Sequence, residues 1–360
     1  MLEGRQVAIC AGAGGVGKTT TSAAIAAGMA VRGRRTIVLT IDPARRLADA
    51  LGLPALGNEE HRVDPKLLAA AGLGGGELWA MTLDAKQTFD DLIAQTAPDE
   101  QTRDAVLRNP IYRQLSGAVA GSQEYMAMEK LYELHRSGRY DLVVLDTPPT
   151  RNALDFLDAP GRLGRFVDSR SLQFFRASSR AGLGLVGRGA SVLSSVIERA
   201  TGVDLLRDLA DFFNAFGDMA DGFRDRARRV EELLSDEATT FLLITSPRAA
   251  AIADAGYFHD KLIGSGMRFG AVIVNRVREP VAVDSSPELE AELTQLLDPR
   301  LARKVLRDLR DHQRLAEHDA RNLNALRKRM GGDTLIAVPE LSGDVHDLGG
   351  LAALGDRLFR

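Results

Sequence analysis

The sequence predicts an α/β fold, with a mostly parallel, doubly wound sheet in a single domain of residues 1–360. Two observations predict it: short continuous apolar runs recur along the chain, and segments with helical periodicity separate most of them. Because such runs bury both faces of a strand, they favour a parallel sheet with helices packed on each side. Ligands of such sheets bind where the strands end.

The apolar runs are the candidate strands. Glycines close the first run, and Asp42 with Pro43 closes the second, with a helix-like segment between them, as in a βαβ unit. Several runs end in residues that could perform chemistry, among them Asp146, Asn275 and Pro339. The candidate strands are residues 7–10, 36–41, 77–84, 141–146, 239–246, 268–275 and 334–339.

The sequence also predicts one inserted helical subdomain at about residues 86–134 and 160–234, where helix-rich stretches interrupt the strand pattern. Apolar residues in the second stretch recur at spacings of mostly four and three, which places them on one stripe of a long helix. The stripe is either core or a groove for an apolar client, and the glycine-rich segment 181–197 before it is a candidate lid. The stripe residues are Leu205, Leu209, Phe212, Phe216, Met219, Phe223, Ala227, Val230 and Leu234.

Composition and charge narrow the possible functions. The 46 basic and 49 acidic residues leave a formal charge of -3, so the chain has no basic excess to attract nucleic acid, and no nucleic-acid partner is expected. A single cysteine, Cys10, excludes an internal disulfide or a multi-cysteine metal site within one chain, and it fits a reducing compartment. No uncharged apolar run reaches the roughly 18 to 20 residues of a membrane span. We therefore expect a cytoplasmic protein with no transmembrane segment.

The glycine-rich segment GAGGVGKTTT, residues 12–21, fits two nucleotide-binding patterns. Three of its glycines satisfy the dinucleotide pattern G-x-G-x-x-G, for which Asp42 would be the ribose-binding acid. Lys18 and Thr19 decide against that pattern, because directly after Gly17 they complete G-x-x-x-x-G-K-[ST]. A purely structural glycine turn is the remaining alternative.

In a phosphate loop of this kind, backbone N–H groups surround the phosphates, the lysine reaches the β- and γ-phosphates and the hydroxyl ligates Mg²⁺. The predicted fold is therefore that of a P-loop NTPase, with ATP and Mg²⁺ as its ligands. The loop residues predicted to bind the nucleotide are Gly12, Ala13, Gly14, Gly15, Val16, Gly17, Lys18, Thr19 and Thr20.

Two aspartates at strand ends complete the predicted site, since a nucleoside triphosphatase needs a carboxylate near Mg²⁺ and a group that orients the attacking water. Asp146 follows a buried run and is placed to hold the metal's water shell. Asp42 lies where a segment that responds to the γ-phosphate would be, and its alternative role is to cap the helix after Pro43. Thr19, Asp42 and Asp146 are the candidate magnesium residues, with the aspartates acting through water. Lys18 and Asp42 are the candidate catalytic residues.

Five segments, in this order and spacing, resemble the ArsA family of deviant P-loop ATPases. They are GAGGVGKTTT, TIDPARRLADALG, GSQEYMAMEKLYEL, LDTPPTRNALDFL and VIVNRV. The family includes the arsenite-pump ATPase and the targeting factor for tail-anchored membrane proteins. Its members are dimeric or carry two such halves, and ATP closes the two nucleotide sites against each other.

The resemblance implies roles for particular residues. Asp42 would orient or activate the hydrolytic water in the first switch segment, and Asp146 with Thr147 would belong to the second. Asn275 would contact the adenine. The residues that would accompany these are Val338 and Pro339, whose backbone would lie beside the adenine, and Glu124, which matches an acidic position before the second switch.

The chain departs from the family pattern in three ways. The family's loop reads G-K-G-G-V-G-K-T, and its first lysine reaches the phosphates of the other subunit, whereas Ala13 stands here. Either a lysine-bearing paralogue in a heterodimer or an arginine, with Arg45, Arg46 and Arg151 nearest in sequence, would then supply the charge. Paired cysteines for a zinc clamp are absent from the sequence, so no zinc is expected, and one cysteine gives little support to arsenite transport.

These observations favour Mg-dependent ATP hydrolysis that drives a dimeric conformational switch, handling an apolar or membrane-protein client. The dimer would be a homodimer or the heterodimer with a paralogue. The alternative is a positional ATPase of the ParA/MinD type that acts on membrane or DNA. Large helical insertions, the absence of a basic stripe and a weakly charged C-terminal segment 348–359 argue against it. A dinucleotide-dependent oxidoreductase is a third possibility, which Lys18 and Thr19 oppose.

Overall fold

A computed structural model describes residues 2–42, 45–113, 123–148, 159, 161, 212, 214–281, 287–331, 334–341 and 343–359. The strands in these residues are β1 (Val7–Ala11), β2 (Arg35–Thr40), β3 (His61–Arg62), β4 (Glu77–Thr82), β5 (Leu142–Asp146), β6 (Thr239–Thr245), β7 (Phe269–Val277) and β8 (Leu335–Pro339). The helices are α1 (Lys18–Val31), α2 (Arg46–Ala50), α3 (Pro65–Ala70), α4 (Ala85–Thr96), α5 (Glu100–Arg108), α6 (Gln123–Arg136), α7 (Ala220–Ser235), α8 (Ala249–Gly264), α9 (Pro287–Leu296), α10 (Pro299–Met330) and α11 (Leu348–Leu358).

The strands form one sheet in the order β3-β4-β2-β5-β1-β6-β7-β8. Every neighbouring pair is parallel except β3 and β4, which pair antiparallel at the edge. This confirms the predicted α/β fold with a mostly parallel sheet. The two-residue strand β3 was not predicted, because so short a segment has no periodicity to detect. The order places the ends of β1, β2 and β5 side by side.

Helices cover both faces of the sheet, and each face has its own hydrophobic core. Successive side chains of a strand point to opposite faces, so Val7 and Ile9 of β1 join one core cluster while Ala8 and Cys10 join the other. Helix α1 packs in the second cluster and α4, α6 and α7 pack in the first. All five residues of β1 are buried. Cys10 is therefore inaccessible, as its place on the first strand predicts.

The predicted helical subdomain is described only in part. Helices α4, α5 and α6 occupy the first stretch and α7 occupies the end of the second, whereas residues 160, 162–211 and 213 lie outside the described residues. Segment 181–197, Leu205 and Leu209 are therefore not described, and a single inserted subdomain stays a prediction. The described stripe residues are all buried in the first core cluster, which favours the core interpretation for them. They are Phe212, Phe216, Met219, Phe223, Ala227, Val230 and Leu234.

A buried ion pair joins the two helices that flank this core. Glu129 of α6 and Arg226 of α7 are 2% and 7% exposed, and the Arg226 guanidinium donates to the Glu129 carboxylate and to Gln95 of α4. Burial raises the pKa of Glu129, and the positive charge of Arg226 opposes that rise. The same guanidinium lies 4.5 Å from the centroid of the Tyr132 ring. One residue thus ties three helices together.

Helix α10 carries a basic exposed face, so the argument from an absent basic stripe is wrong. The face is made of residues at helical spacing, all of them exposed, and only Arg314 forms an ion pair with another described residue, Asp311. Asp308 and Asp311 are exposed among them, and acidic residues elsewhere in the chain balance the remaining charge, which is why the net charge conceals this face. The basic residues of this face are Arg300, Arg303, Lys304, Arg307, Arg310 and Arg314.

Candidate functional site

The glycine-rich loop connects the central strand β1 to α1, and two of its glycines are required sterically. A Cβ on Gly12 would lie 2.0 Å from the Ile244 carbonyl oxygen of β6. Gly17 has a φ of 92°, and a Cβ there would lie 2.3 Å from Asn275 Nδ2. The backbone of this loop therefore approaches its neighbours more closely than any side chain would allow.

Lys18 begins α1, and its side chain turns back over the loop. The ammonium group donates to the Ala13 carbonyl oxygen at 2.9 Å, and the residue is only 7% exposed. Burial lowers the pKa of Lys18, while the carboxylates of Asp146 and Asp42 oppose this change. The two carboxylates thus favour the charged form of Lys18 and partly offset the effect of its burial.

Asp146 is the point at which α1, β2 and β5 meet. The Thr19 hydroxyl donates to Oδ2 of Asp146 at 2.7 Å, and the Thr40 hydroxyl donates to the same oxygen at 2.9 Å. The parallel register that places Cys10 and Thr40 level with Asp146 makes this possible. Thr40 was not predicted as a site residue, although its place at the end of a strand two residues before Asp42 was a usable signal.

The other oxygen of this carboxylate has no protein partner. Oδ1 of Asp146 is buried and forms no hydrogen bond with any described residue. Burial raises the pKa of Asp146 to about 6, and the hydrogen bonds from Thr19 and Thr40 and the charge of Lys18 oppose the rise. An unpartnered carboxylate oxygen next to two hydroxyl groups is a donor set that suits a hard divalent cation with water ligands, so these residues fit Mg²⁺.

Asp42 and Thr147, which the resemblance assigned to the two switch segments, connect directly to this cluster. The backbone N–H of Asp42 donates to the Thr40 hydroxyl at 3.2 Å, so one chain of hydrogen bonds runs from Asp42 through Thr40 to Asp146. Thr147 donates to the Cys10 carbonyl oxygen through its hydroxyl, at 2.9 Å, and through its N–H, at 3.2 Å. The N-cap of α2 is Arg45, so the alternative that Asp42 caps this helix is wrong.

Asn275 joins β7 to the glycine-rich loop. Its side-chain Nδ2 donates to the Val16 carbonyl oxygen at 2.9 Å, and its side-chain Oδ1 accepts from the Arg276 backbone N–H at 3.0 Å. A cavity of about 620 Å³ opens beside it, lined by Gly15, Gly17, Thr20, Arg46, Asn275, Arg276 and Pro339 among others. The cleft therefore adjoins the loop at the carboxyl ends of the strands, where ligands of such sheets bind.

The remaining predicted residues lie as follows. Val338 is 1% exposed and packs in the core, so only its backbone could line a site. Glu124 is in the first turn of α6 and lines neither cavity next to the loop. The Arg45 guanidinium donates to the Pro54 carbonyl oxygen. Arg151 lies outside the described residues. A cavity of about 840 Å³ lies at the amino ends of β1, β2 and β5 and contains no predicted site residue.

A comparison of the sequence with family models covers most of the chain. A family model described as an anion-transporting ATPase matches residues 5–295. The chain belongs to the ArsA ATPase family. It is therefore an ATP-hydrolysing enzyme, and the expectation taken from the sequence motifs is confirmed.

Curated relatives of this ArsA-family ATPase carry the same description of activity. The chain is 27% identical to the ATPase get3 of Neurospora crassa over 75% of its own length and 72% of the relative. It is 23% identical to the ATPase ASNA1 homolog of Babesia bovis over 97% of its length and 89% of the relative. A match to the ATPase GET3 of Malassezia globosa is 34% identical but spans only 43% of this chain and 42% of that protein. Of the described helices, none is long and apolar enough to cross a membrane.

Proposed function

We propose that this ArsA-family ATPase binds Mg·ATP at the glycine-rich loop and uses hydrolysis to switch the conformation of a dimer. The observation that carries the proposal is the convergence of Thr19 and Thr40 on the buried Asp146, whose second oxygen has no described partner. When bound, Mg²⁺ would neutralise negative charge on the phosphates. Thr19 and Asp146 would hold it, with Asp42 nearby, and both carboxylates would act through water.

The residues of the loop bind and orient the triphosphate. Backbone N–H groups from Gly14 to Thr20 and the N-terminus of α1 provide an anion-binding cradle. Lys18 moves its ammonium group from the Ala13 carbonyl oxygen to the phosphates. Asn275, Pro339 and the Val338 backbone line the adenine side of the cleft of about 620 Å³. Glycine at positions 12 and 17 lets the loop backbone lie against Ile244 and Asn275, where a Cβ would clash.

Asp42 orients the attacking water and accepts its proton. Its position at the end of the chain of hydrogen bonds through Thr40 to Asp146 couples it to the metal site. A change of ligand at Asp146 would move the Thr40 hydroxyl and the segment that follows it. Thr147, which is hydrogen-bonded to the Cys10 carbonyl oxygen on β1, would transmit the same shift to the segment after β5. The coupling of both segments to one carboxylate supports a nucleotide-dependent switch.

The client of the switch is an apolar or membrane-protein segment, as in the tail-anchored-protein targeting factors that the family includes. The relatives named GET3 support this choice. Because the described part of the apolar stripe is buried in the core, the client surface would lie elsewhere. The working unit is a homodimer, or a heterodimer with a paralogue that carries the lysine missing at Ala13.

Replacing Lys18 tests the nucleotide assignment. Lys18→Ala should abolish Mg·ATP binding in calorimetry and ATP turnover while the melting temperature changes little, since one loop charge is lost and the core is intact. Lys66→Ala, in which an exposed lysine of α3 is removed, is the matched control and should behave as wild type. Equal ATP affinity in Lys18→Ala and wild type would overturn the proposed site.

One observation favours a second function, a positional ATPase of the ParA/MinD type. The exposed basic face of α10 would suit an anionic membrane or DNA. Co-sedimentation with anionic vesicles, neutral vesicles and DNA, each with and without ATP, separates the two functions. Binding that requires ATP and is lost in Arg303→Glu/Arg307→Glu would support the positional role. Binding to neither surface would leave the client-handling switch.

A further inference from the structure

A second cavity, of about 310 Å³, lies beside the glycine-rich loop on the side of Ala13. The loop backbone from Ala13 to Val16 forms one wall, and the connection between β6 and α8 forms another. Three arginines line it, namely Arg248, Arg276 and Arg278. None of the three was among the arginines that sequence proximity suggested.

The backbone at Arg276 is in an unusual conformation that directs its side chain into this region. Its φ is 61°, and among the described residues it is the only one other than glycine with a positive φ. The pairing of β7 with β8 shifts register between Val274 and Val277, as at a β-bulge. Bulges re-aim side chains, and a left-handed conformation in a residue with a long side chain persists only where the surroundings maintain it. Asn275, whose side chain accepts from the Arg276 N–H, is one such support.

The charges in this cavity are unevenly compensated. Arg278 is held by Asp319 at 3.3 Å and by Glu340 at 3.7 Å. Arg248 and Arg276 form no ion pair within the part of the chain that the structure describes. The acidic residues of the lining are Glu340 and Asp254. The lining thus carries a net positive charge and two guanidinium groups available for an anion. One guanidinium group can donate two parallel hydrogen bonds to the oxygens of a phosphate, and an ammonium group is less suited to this geometry.

We propose that Arg276, assisted by Arg248, is a phosphate-binding arginine that contacts the terminal phosphate of a bound nucleotide. This inference rests on the proposed binding of Mg·ATP at the loop. Arg276 and Gly15 line both this cavity and the nucleotide cleft of about 620 Å³, so the two spaces adjoin. The phosphate belongs either to the nucleotide of the same chain or to that of a second copy facing this side of the loop. In either case the guanidinium supplies positive charge next to Ala13.

The test removes the Arg276 side chain and keeps the positive backbone φ of that position. Arg276→Gly removes the guanidinium and permits the positive φ, so the fold should be unaffected, and Arg276→Lys keeps the charge without the paired donors. Arg357→Ala, an exposed arginine of α11, is the control. We expect Arg276→Gly to lower ATP turnover by about 10- to 10³-fold and to weaken the binding of inorganic phosphate or pyrophosphate in calorimetry, with Arg276→Lys intermediate. Wild-type turnover and phosphate affinity in Arg276→Gly would overturn the inference.

Mixing two variants identifies the source of the phosphate. A mixture of Arg276→Gly and Lys18→Ala recovers turnover if Arg276 reaches the nucleotide of a second copy, because the second variant supplies its arginine to the first. No recovery assigns Arg276 to the nucleotide of its own chain. The failures are also distinct: if Lys18→Ala abolishes ATP binding while Arg276→Gly changes nothing, only this inference fails. If Lys18→Ala binds ATP normally, the proposed function itself fails.

Discussion

The pH response of Asp146 is a direct test of the site geometry. The residue is 1% exposed, and burial raises its pKa from 3.8 to about 6 although two hydroxyl donors and Lys18 act in the other direction. At about 1.4 kcal/mol for each pKa unit, the difference between these values corresponds to about 3 kcal/mol. In the metal-free protein this energy is the cost of holding a charged carboxylate with one unpartnered oxygen.

The direction of the effect follows from the two pKa values. The folded protein binds this proton more tightly than the unfolded chain, so the contribution of Asp146 to stability is complete below pH 3.8 and is lost as the pH rises through about 6. Asp146→Asn removes this titration. Its carbonyl oxygen still accepts from Thr19 and Thr40, and its amide nitrogen replaces Oδ1, so one unsatisfied group is exchanged for another. We expect the variant to be more stable than wild type by about 3 kcal/mol near pH 8, with the difference vanishing near pH 4.

Urea denaturation in the presence of a chelator, at a series of pH values, measures this difference. Asp356→Asn removes the same charge from an exposed position on α11 and is the control for effects of net charge. A difference between Asp146→Asn and wild type that stays constant with pH, or that matches the control, would refute the reasoning. If Asp146 holds the metal's water shell as proposed, adding Mg²⁺ and ATP should then stabilise wild type much more than Asp146→Asn, because a carboxylate binds these water ligands more strongly than an amide does.

Three further predictions concern the rest of the molecule. Asp42→Asn should bind Mg·ATP normally and lose about 10²- to 10⁴-fold in turnover, as single-turnover assays would measure, since an amide cannot accept a proton; normal hydrolysis would leave Asp42 without a catalytic role. Glu129→Gln and Arg226→Met should each lower the free energy of unfolding by about 3 to 5 kcal/mol, because each leaves a buried group unpaired. In urea titrations the double variant should recover part of that loss. Additive losses would contradict the coupling between the two residues. Arsenite or antimonite should not stimulate the ATPase, because Cys10 is a single buried thiol and burial raises its pKa to about 12. A stoichiometric metalloid complex that speeds ATP turnover would contradict this.

The absence of a lysine at position 13 links these experiments to the question of the dimer. If Arg276 supplies positive charge beside the loop, one kind of chain is sufficient for a working dimer. If turnover instead requires a second, lysine-bearing chain, mass measurement of the purified protein with a non-hydrolysable ATP analogue would show a monomer until that chain is added. The mixing experiment with Lys18→Ala and the mass measurement therefore address the same interface through different quantities.

The sequence by itself determined those features that depend on neighbours along the chain. The strands β1, β2 and β5 are continuous apolar runs, and their parallel arrangement follows from burial on both faces. The glycine-rich loop was predicted to bind phosphate because its glycines, Lys18 and Thr19 are close together in sequence and form a local motif. Family membership and ATPase activity followed from such local motifs. Asp146 was correctly identified as a strand end, whereas β7 continues two residues past Asn275 to Val277, and the partners of neither residue were predicted.

Only the tertiary structure decided which distant residues meet. Thr40 donates to Asp146 across 106 positions, and Asn275 reaches Val16 across 259, because parallel crossover connections bring strand ends together regardless of their separation in sequence. The pairing of Glu129 with Arg226 and the arginines beside Ala13 arise in the same way. The basic face of α10 was hidden in the net charge, since charge counts ignore which side of a helix a residue occupies. Spacing along a chain records contacts within one element, whereas these features depend on how separate elements pack.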